Sequence, residues 1–240
     1  MPSAFLTASQ RCTCARRLIV SAGPTGDAFV TVLVRLSATI RVRPFTDTPE
    51  PFMGPVVSVA AATQVLAAHA TLLARGGTTV VPTVSLRPYT GLLAPGVIDV
   101  TAVRERADEE MFSPLLQLIR VPDFAAALGE ADATRYGLAG GLIADALALY
   151  ARFRDEVRAG LINWSQRLTG ASGGGQSGNH RPAAFFAADY GAYLVASIEV
   201  PELKLPVTLP SGLSALEPHA KIAMVAKSNP LPFALCATFA

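Results

Sequence analysis

A thiol, a group of carboxylates and a few basic side chains are the groups in this 240-residue chain whose spacing could support chemistry. Cys12 is the leading candidate, because a cysteine thiolate is a strong nucleophile. The residue pattern predicts a helix that carries Cys12 at its start, and the N-terminus of a helix stabilises a negative charge. Arg16, four residues further on, would then add positive potential on the same helical face. A lone cysteine before a helix is more often a small buried hydrophobic residue, so both interpretations stay open.

Two further candidate segments lie later in the chain. Residues 108–115 read Asp-Glu-Glu-Met-Phe-Ser-Pro-Leu, a composition typical of a solvated acidic turn before a strand. Residues 169–178 are rich in glycine and serine, which predicts a loop. This loop has no Lys-Ser/Thr ending and no dinucleotide fingerprint after it, so it indicates phosphate binding only weakly. His180 and Arg181 follow the loop.

Residues 3–12 resemble the cysteine motif of aldehyde dehydrogenases, in which an apolar run leads to Gly-Gln-x-Cys. Residues 108–115 are similar to the same family's Glu-Glu-x-Phe-Gly-Pro motif. The resemblance implies that Cys12 is the catalytic nucleophile and that NAD is the cofactor. It also implies that Glu110 holds the nicotinamide ribose hydroxyls and that Phe112 packs near the nicotinamide.

The chain departs from the family pattern at several of these positions. Ser9 stands where the family has the glycine before Gln10, and Ser113 replaces the glycine of Phe-Gly-Pro. The loop at 169–178 corresponds to the family's Phe-Gly-Gly-x-x-x-Ser-Gly segment, but it is shorter and lacks the phenylalanine. Together these departures suggest relaxed selection or a truncated reading frame.

One subfamily, which oxidises N-succinylglutamate 5-semialdehyde in arginine degradation, is resembled more closely than the others. The segments that carry this resemblance are 12–18, 51–55, 95–101 and 179–182. That substrate has two carboxylates, and the planar guanidinium of arginine can meet a carboxylate with two parallel hydrogen bonds. Arg181 is therefore the leading substrate-binding candidate, with His180 and Arg167 as weaker ones. The alternative, that Arg181 caps the loop or pairs with Asp189, carries equal weight.

In the family, the cofactor domain, a glutamate base and an oxyanion-binding asparagine all lie upstream of the cysteine. The resemblance therefore implies that this chain lacks the cofactor domain, binds NAD weakly and has little activity alone. The alternative is a non-catalytic remnant, or one half of a split enzyme that pairs with a complementary N-terminal half. An unrelated cysteine hydrolase fits poorly, because His69 lies in an apolar helical run and His219 in the unmatched tail.

Alternating short apolar runs and helical periods predict an α/β fold with a largely parallel sheet. Strands are predicted at 18–20, 78–81, 97–100, 115–121, 139–143, 161–164 and 192–200, and helices at 27–40, 57–75, 123–130 and 145–158. We expect four regions: a catalytic domain (1–165), a Gly/Ser-rich active-site loop (166–182), a C-terminal oligomerisation arm (183–208) and an irregular tail (209–240). A homo-oligomer is expected.

Composition limits the remaining classes of function. The net charge of +2 argues against a nucleic-acid partner, and the three cysteines show no spacing for a metal site. The longest uncharged run, 51–74, contains two prolines, Gln64 and His69, which argues against a membrane span. No secretory signal is evident, and the cysteine usage fits a reducing compartment, so we expect a cytoplasmic protein.

Overall fold

A computed structural model describes residues 1–165, 168, 191–196 and 234–239 of the chain. The strands are β1 (Arg17–Ser21), β2 (Thr78–Val81), β3 (Gly96–Asp99), β4 (Leu115–Val121), β5 (Ala139–Ile143), β6 (Leu161–Trp164), β7 (Gly191–Ala196) and β8 (Ala234–Phe239). The α-helices are α1 (Pro2–Phe5), α2 (Pro24–Ala38), α3 (Val59–Ala74), α4 (Phe124–Asp132) and α5 (Leu147–Glu156). A 3₁₀ helix, Leu6–Ser9, follows α1.

The strands form one sheet in the order β2-β3-β4-β1-β7-β8-β5-β6. Strands β3, β4, β1, β7, β5 and β6 are joined by parallel pairings, whereas β2 and β8 pair antiparallel. All five residues of β1 are buried, as expected for a parallel strand covered on both faces. Leu18 lies opposite Leu118 and Ile19 opposite Ile119, so β1 and β4 form the centre of the core. The predicted α/β fold with a largely parallel sheet is confirmed.

Helix α2 begins immediately after β1 because its first residues favour a sharp turn into a helix. Gly23 caps the helix with a φ of 90°, a left-handed conformation that glycine adopts at little cost, and Pro24 follows in the first turn. Gly26 faces the end of β1 so closely that a Cβ atom there would lie 1.8 Å from the Ser21 carbonyl oxygen. The absence of a side chain at Gly26 thus allows the helix to pack onto the strand.

Most predicted elements lie where the hydrophobic pattern placed them. The predicted bounds of β2, β4, β5 and β6 agree with the structure, and β3 is shifted by one residue. The Ser58 and Asp123 side chains accept hydrogen bonds from backbone N–H groups at the starts of α3 and α4, which fixes where these helices begin.

The helix predicted to carry Cys12 is wrong. The helical residues end at Ser9, and Cys12 lies in a turn between Gln10 and Arg16. The chain must fold back in this interval, because the Ala15 N–H donates to the Ser3 carbonyl oxygen at 2.6 Å before the chain enters β1. A continuous helix could not bring these two residues together.

The C-terminal part of the chain differs from expectation in one respect. The sequence predicts an irregular tail at 209–240, but Ala234–Phe239 forms strand β8. Its six residues are mostly apolar, and the signal is short and follows two prolines. The strand predicted at 192–200 corresponds to β7, which lies inside the sheet and pairs with β1, β8 and β5. Its predicted role in an oligomerisation arm stays a prediction, as do the boundaries of the four regions.

Within the described residues, no helix is both long enough and apolar enough to cross a membrane. The same part of the chain contains no group of three or more His, Cys, Asp or Glu side chains placed to hold a metal ion.

Candidate active site

Cys12 is exposed in the turn that leads into β1, whereas Cys14, two residues on, is buried. The Cys14 thiol lies 3.7 Å from the Leu6 carbonyl oxygen, and burial raises its pKa against the opposing effect of Arg16. A buried thiol with a raised pKa is a poor nucleophile. Of these two cysteines, Cys12 is therefore the one that can meet a substrate.

The backbone before this turn is strained. Thr7, Ala8 and Ser9 have φ values of 56°, 54° and 60°, the left-handed region that residues with a Cβ atom rarely adopt. Each such residue costs about 1–2 kcal/mol and persists only when its surroundings hold it. The Ser9 hydroxyl donates to the Ala4 carbonyl oxygen, which is one of the contacts that hold it. The family glycine at the position of Ser9 would adopt this conformation without the penalty.

Arg16 lies beneath the turn and is only 1% exposed. Its Nη1 donates to the Ser9 backbone carbonyl and, at 2.8 Å, to the Ser9 hydroxyl. Its Nη2 lies 3.3 Å from the Arg11 carbonyl oxygen and 3.4 Å from Oε1 of Glu110. The prediction that Arg16 shares a helical face with Cys12 is wrong, because no helix is present in this described segment. Arg16 instead supports the turn from below, in contact with both of its arms.

Glu110 reaches this turn because of the sheet topology. Strands β1 and β4 are parallel neighbours, so the segments that precede them meet at the same edge of the sheet. The Gln117 N–H donates to the Arg16 carbonyl oxygen at 2.9 Å and fixes the register at that edge. Parallel pairing thus brings together two motifs that are far apart in the sequence.

Asp108 holds the acidic segment in place beside the turn. Its carboxylate forms an ion pair with Arg17 at 3.2 Å and accepts hydrogen bonds from the Thr134 hydroxyl and the Arg135 N–H at 2.6 and 2.7 Å. Glu130 pairs with Arg17 as well, at 3.5 Å. Asp108, which precedes the motif, is therefore a structural group, and Glu110 is the acid of this segment that contacts Arg16.

The Glu110 carboxyl is largely buried, with 12% of its side chain exposed. Burial raises its pKa to about 7, and the neighbouring Arg16 guanidinium opposes the shift. Burial lowers the pKa of Arg16, an effect that Glu110 opposes most strongly, with weaker opposing effects from Cys14 and Cys12. The cost of removing these two charges from water outweighs their mutual attraction. The long distance of 3.4 Å between Nη2 and Oε1 is consistent with this balance.

Phe112 completes the cluster. Its ring lies 4.7 Å from the Arg16 guanidinium carbon and remains 40% exposed. An exposed aromatic face beside a carboxylate can receive the nicotinamide and ribose end of a dinucleotide. Next to it, the Ser113 hydroxyl is buried and has no hydrogen-bond partner among the described residues, an environment better suited to the glycine that the family has there.

The structure therefore brings Cys12, Glu110 and Phe112 to one edge of the sheet around Arg16, whose structural role the sequence alone did not reveal. The signal in the sequence is the arginine pair at the start of a fully buried strand, of which Arg17 is the first residue. Arg167, His180 and Arg181 lie outside the described residues. His69 is not part of the cluster, because its ring nitrogen lies 3.3 Å from the hydroxyl of Thr79 on edge strand β2.

Comparison with known proteins identifies the family of the chain. The chain matches the aldehyde dehydrogenase family over residues 1–187, and it belongs to that family of oxidoreductases. It is 51% identical over 217 residues to N-succinylglutamate 5-semialdehyde dehydrogenase of Pseudomonas fluorescens, covering 88% of this chain and 44% of the relative. It is 50% identical over 218 residues to the same enzyme of Ectopseudomonas mendocina, covering 88% and 45%.

Among solved structures, the chain is similar to 1-pyrroline-5-carboxylate dehydrogenase from Thermus with bound NAD. The TM-score is 0.62 at 28% sequence identity, over 71% of this chain and 32% of that one. The chain thus spans less than half the length of the curated relatives and about a third of this structural neighbour.

Proposed function

We propose that this chain carries the nucleophile and the ribose-binding carboxylate of an NAD-dependent aldehyde dehydrogenase. The observation that carries the proposal is the convergence of the Cys12 turn, Glu110 and Phe112 on one buried arginine. The thiol is exposed, so an aldehyde can reach it. The substrate we propose is N-succinylglutamate 5-semialdehyde, the aldehyde named for the two curated relatives.

The described residues fit the nicotinamide end of NAD, which accepts a hydride when it is bound. The Glu110 carboxylate can accept hydrogen bonds from ribose hydroxyls, because Arg16, its ion-pair partner among the described residues, approaches only Oε1. Phe112 offers an exposed ring at the same place. These two residues could contact only one end of the cofactor, so we expect the chain alone to bind NAD weakly.

The reaction begins with the Cys12 thiolate. It adds to the aldehyde carbon, and the carbonyl electron pair moves to the oxygen, giving a thiohemiacetal. When that oxygen re-forms its double bond, the carbon loses hydride, which a bound nicotinamide would accept, and a thioester on Cys12 would remain. Water then attacks the thioester, the thiolate departs, and the carboxylate forms with release of protons. One aldehyde, one NAD⁺ and one water thus yield one carboxylate, one NADH and two protons.

The described residues do not supply every group that this sequence of steps requires. In this part of the chain, no carboxylate or imidazole hydrogen-bonds the Cys12 thiol. We therefore propose that the chain alone has little activity and pairs with a complementary N-terminal half or with copies of itself. We place this reaction in the cytoplasm.

The dicarboxylate substrate requires donors beyond the reacting carbonyl. We propose Arg181 for this role, with His180 and Arg167 as weaker candidates. Arg181 follows the glycine-rich loop in a segment that resembles the semialdehyde dehydrogenase subfamily. A guanidinium held against a substrate carboxylate away from water contributes about 2 kcal/mol or more to recognition.

A second candidate function is that of a non-catalytic interaction partner. It is favoured by the large apolar side chains that the structure leaves exposed, among them Tyr89 at 93%, Phe45 at 85% and Val57 at 81%. Exposed apolar patches mark protein interfaces when they are contiguous. The Val56 N–H donates to the Gly91 carbonyl at 2.8 Å, which joins the segments that carry Val57 and Tyr89.

The decisive experiment mixes the purified chain with the separately expressed N-terminal half of the Pseudomonas fluorescens relative, NAD and N-succinylglutamate 5-semialdehyde. We expect NADH to form with the mixture and to be nearly absent with the chain alone. Cys12→Ser should abolish NADH formation, whereas Cys14→Ser should retain it if the variant folds. No NADH from a stable mixed complex would refute the catalytic assignment and favour the interaction partner.

The same system tests the substrate assignment. Arg181→Ala should lower kcat/KM about 30-fold or more for the dicarboxylate aldehyde and much less for an uncharged aldehyde, because only the first presents a carboxylate. An equal loss with both aldehydes would make Arg181 a structural residue.

A further inference from the structure

Arg16 connects the two segments to which the proposed function assigns the nucleophile and the ribose-binding carboxylate. Its guanidinium contacts Ser9 and Arg11 on the two arms of the Cys12 turn. On the other side it contacts the Glu110 carboxylate and the Phe112 ring. The whole side chain is buried, so solvent does not screen these contacts strongly.

The two ends of the guanidinium are held unequally. Nη1 is held firmly, by the carbonyl and the hydroxyl of Ser9. Nη2, which has two N–H groups, lies 3.3 Å from the Arg11 carbonyl oxygen and 3.4 Å from Oε1 of Glu110, and both distances exceed the usual 2.7–3.2 Å of an N–H···O bond. Nε is buried and has no hydrogen-bond partner in the described part of the chain. A small movement of the guanidinium would therefore strengthen one Nη2 contact and weaken the other.

The two contacts of Nη2 link the state of Glu110 to the environment of the Cys12 thiol. A charged Glu110 attracts Nη2 away from the Arg11 carbonyl and neutralises part of the guanidinium charge. When Glu110 is neutral or hydrogen-bonded to another group, Nη2 can move toward the Arg11 carbonyl, which adjoins Cys12. The positive charge would then act more strongly on the turn and favour the thiolate.

We propose that Arg16 is a positioning residue through which the state of Glu110 sets the reactivity of the Cys12 thiol. The inference rests on the proposed function for the roles of Cys12 and Glu110, but the coupling itself requires no turnover. A purely structural Arg16 would stabilise the turn without making the thiol sensitive to Glu110.

A double-mutant cycle on the full chain tests the coupling. The variants are wild type, Glu110→Gln, Arg16→Met and the double variant, and the readout is the rate of iodoacetamide alkylation at Cys12 near neutral pH. Cys12 and Cys14 fall in one tryptic peptide, so fragmentation by tandem mass spectrometry separates them. We expect Glu110→Gln to increase the rate about threefold or more in the presence of Arg16 and to change it little in the Arg16→Met background, a coupling within the range of interacting side chains.

Arg16→Lys provides the matched control, and it carries the test if Arg16→Met does not fold. The lysine ammonium keeps the charge but cannot contact the turn and Glu110 through two separate nitrogens. The effect of Glu110→Gln should therefore shrink in the lysine background, while circular dichroism confirms the fold. An equal effect of Glu110→Gln in every background, or none in wild type, would overturn the proposal. Coupling without aldehyde oxidation in the reconstituted system would refute the proposed function alone.

Discussion

At the scale of single residues, the site depends on side chains that stabilise an unfavourable local structure. Ser9 adopts a left-handed conformation with a φ of 60°, and Arg16 carries a charge into the core below it. The two residues support each other, because the Ser9 carbonyl and hydroxyl accept hydrogen bonds from Nη1 of Arg16. The exposed position of Cys12 follows from this pair, since the chain between them forms the turn.

The strain at Ser9 can be measured with a matched pair of substitutions. Ser9→Ala and Ser9→Gly both remove the hydroxyl and its hydrogen bonds, but only glycine relieves the left-handed backbone. We expect the glycine variant to be more stable than the alanine variant by about 1 kcal/mol. Urea denaturation of both variants gives the free energies of unfolding that test this difference. A more stable alanine variant would contradict the left-handed conformation.

Glu110 should give the protein a distinctive dependence of stability on pH. Burial raises its pKa to about 7 in the folded chain, so the folded state binds a proton more tightly than the unfolded state does. The resulting stabilisation is fully present below the ordinary pKa of a glutamate and is lost as the pH rises to about 7. The change is on the order of 3 kcal/mol.

Urea denaturation at several pH values between about 4.5 and 7 tests this expectation. Glu110→Gln removes the titrating group, so its stability should fall less than that of wild type across this range. Parallel pH profiles for the two proteins would show that Glu110 does not titrate with a raised pKa.

At the scale of elements, the predictable part of the fold follows from residue periodicity. The apolar runs of β4 and β5 end at turn-forming residues, so their bounds could be predicted from the sequence. The Cys12 turn could not, because a hydrogen bond between Ala15 and Ser3 forces the chain back where its composition permits a helix. Strand β8 is missed for a related reason, since its pairing with β7 lies beyond any local pattern.

The residues of the candidate site can be predicted from the sequence only where they belong to a recognisable motif. Cys12, Glu110 and Phe112 were identified by resemblance, and the parallel pairing of β1 with β4 explains why they meet. The sequence predicts the wrong geometry for Arg16, because its contacts with Ser9 and Glu110 depend on tertiary structure. Only the fold could show that it joins both motifs.

Alanine substitutions at two helical glycines should change the stability of the protein in opposite directions. At Gly26 a Cβ would lie 1.8 Å from a backbone oxygen, whereas at Gly129 in α4 nothing lies within 4 Å of one among the described residues. Gly26→Ala should destabilise the protein by about 2 kcal/mol or more, through overpacking. Gly129→Ala should stabilise it by about 0.5–1 kcal/mol, because alanine favours the helix. Thermal unfolding of both variants tests this, and a neutral Gly26→Ala would contradict the close packing.

At the scale of the whole molecule, the chain presents apolar surface around the segments that carry Val57 and Tyr89. We expect it to self-associate in solution through this surface, which would remove apolar area from water. Light scattering after size-exclusion chromatography should give a mass above the 25.0 kDa of one chain. Val57→Ser with Tyr89→Ser should reduce that mass, with Thr63→Ser on the exposed face of α3 as a control. A monomer at high concentration would contradict the expectation.

The central claim is that Cys12 is the nucleophile that attacks an aldehyde, and thiol labelling tests it without any second chain. Iodoacetamide is added to the folded protein near neutral pH, with and without N-succinylglutamate 5-semialdehyde, and labelling at each cysteine is measured by tandem mass spectrometry. We predict that Cys12 reacts faster than Cys14 or Cys236 and that the aldehyde slows the reaction at Cys12 selectively, because a thiohemiacetal occupies the thiol. Equal labelling of the three cysteines, or no protection of Cys12 by the aldehyde, would contradict the claim.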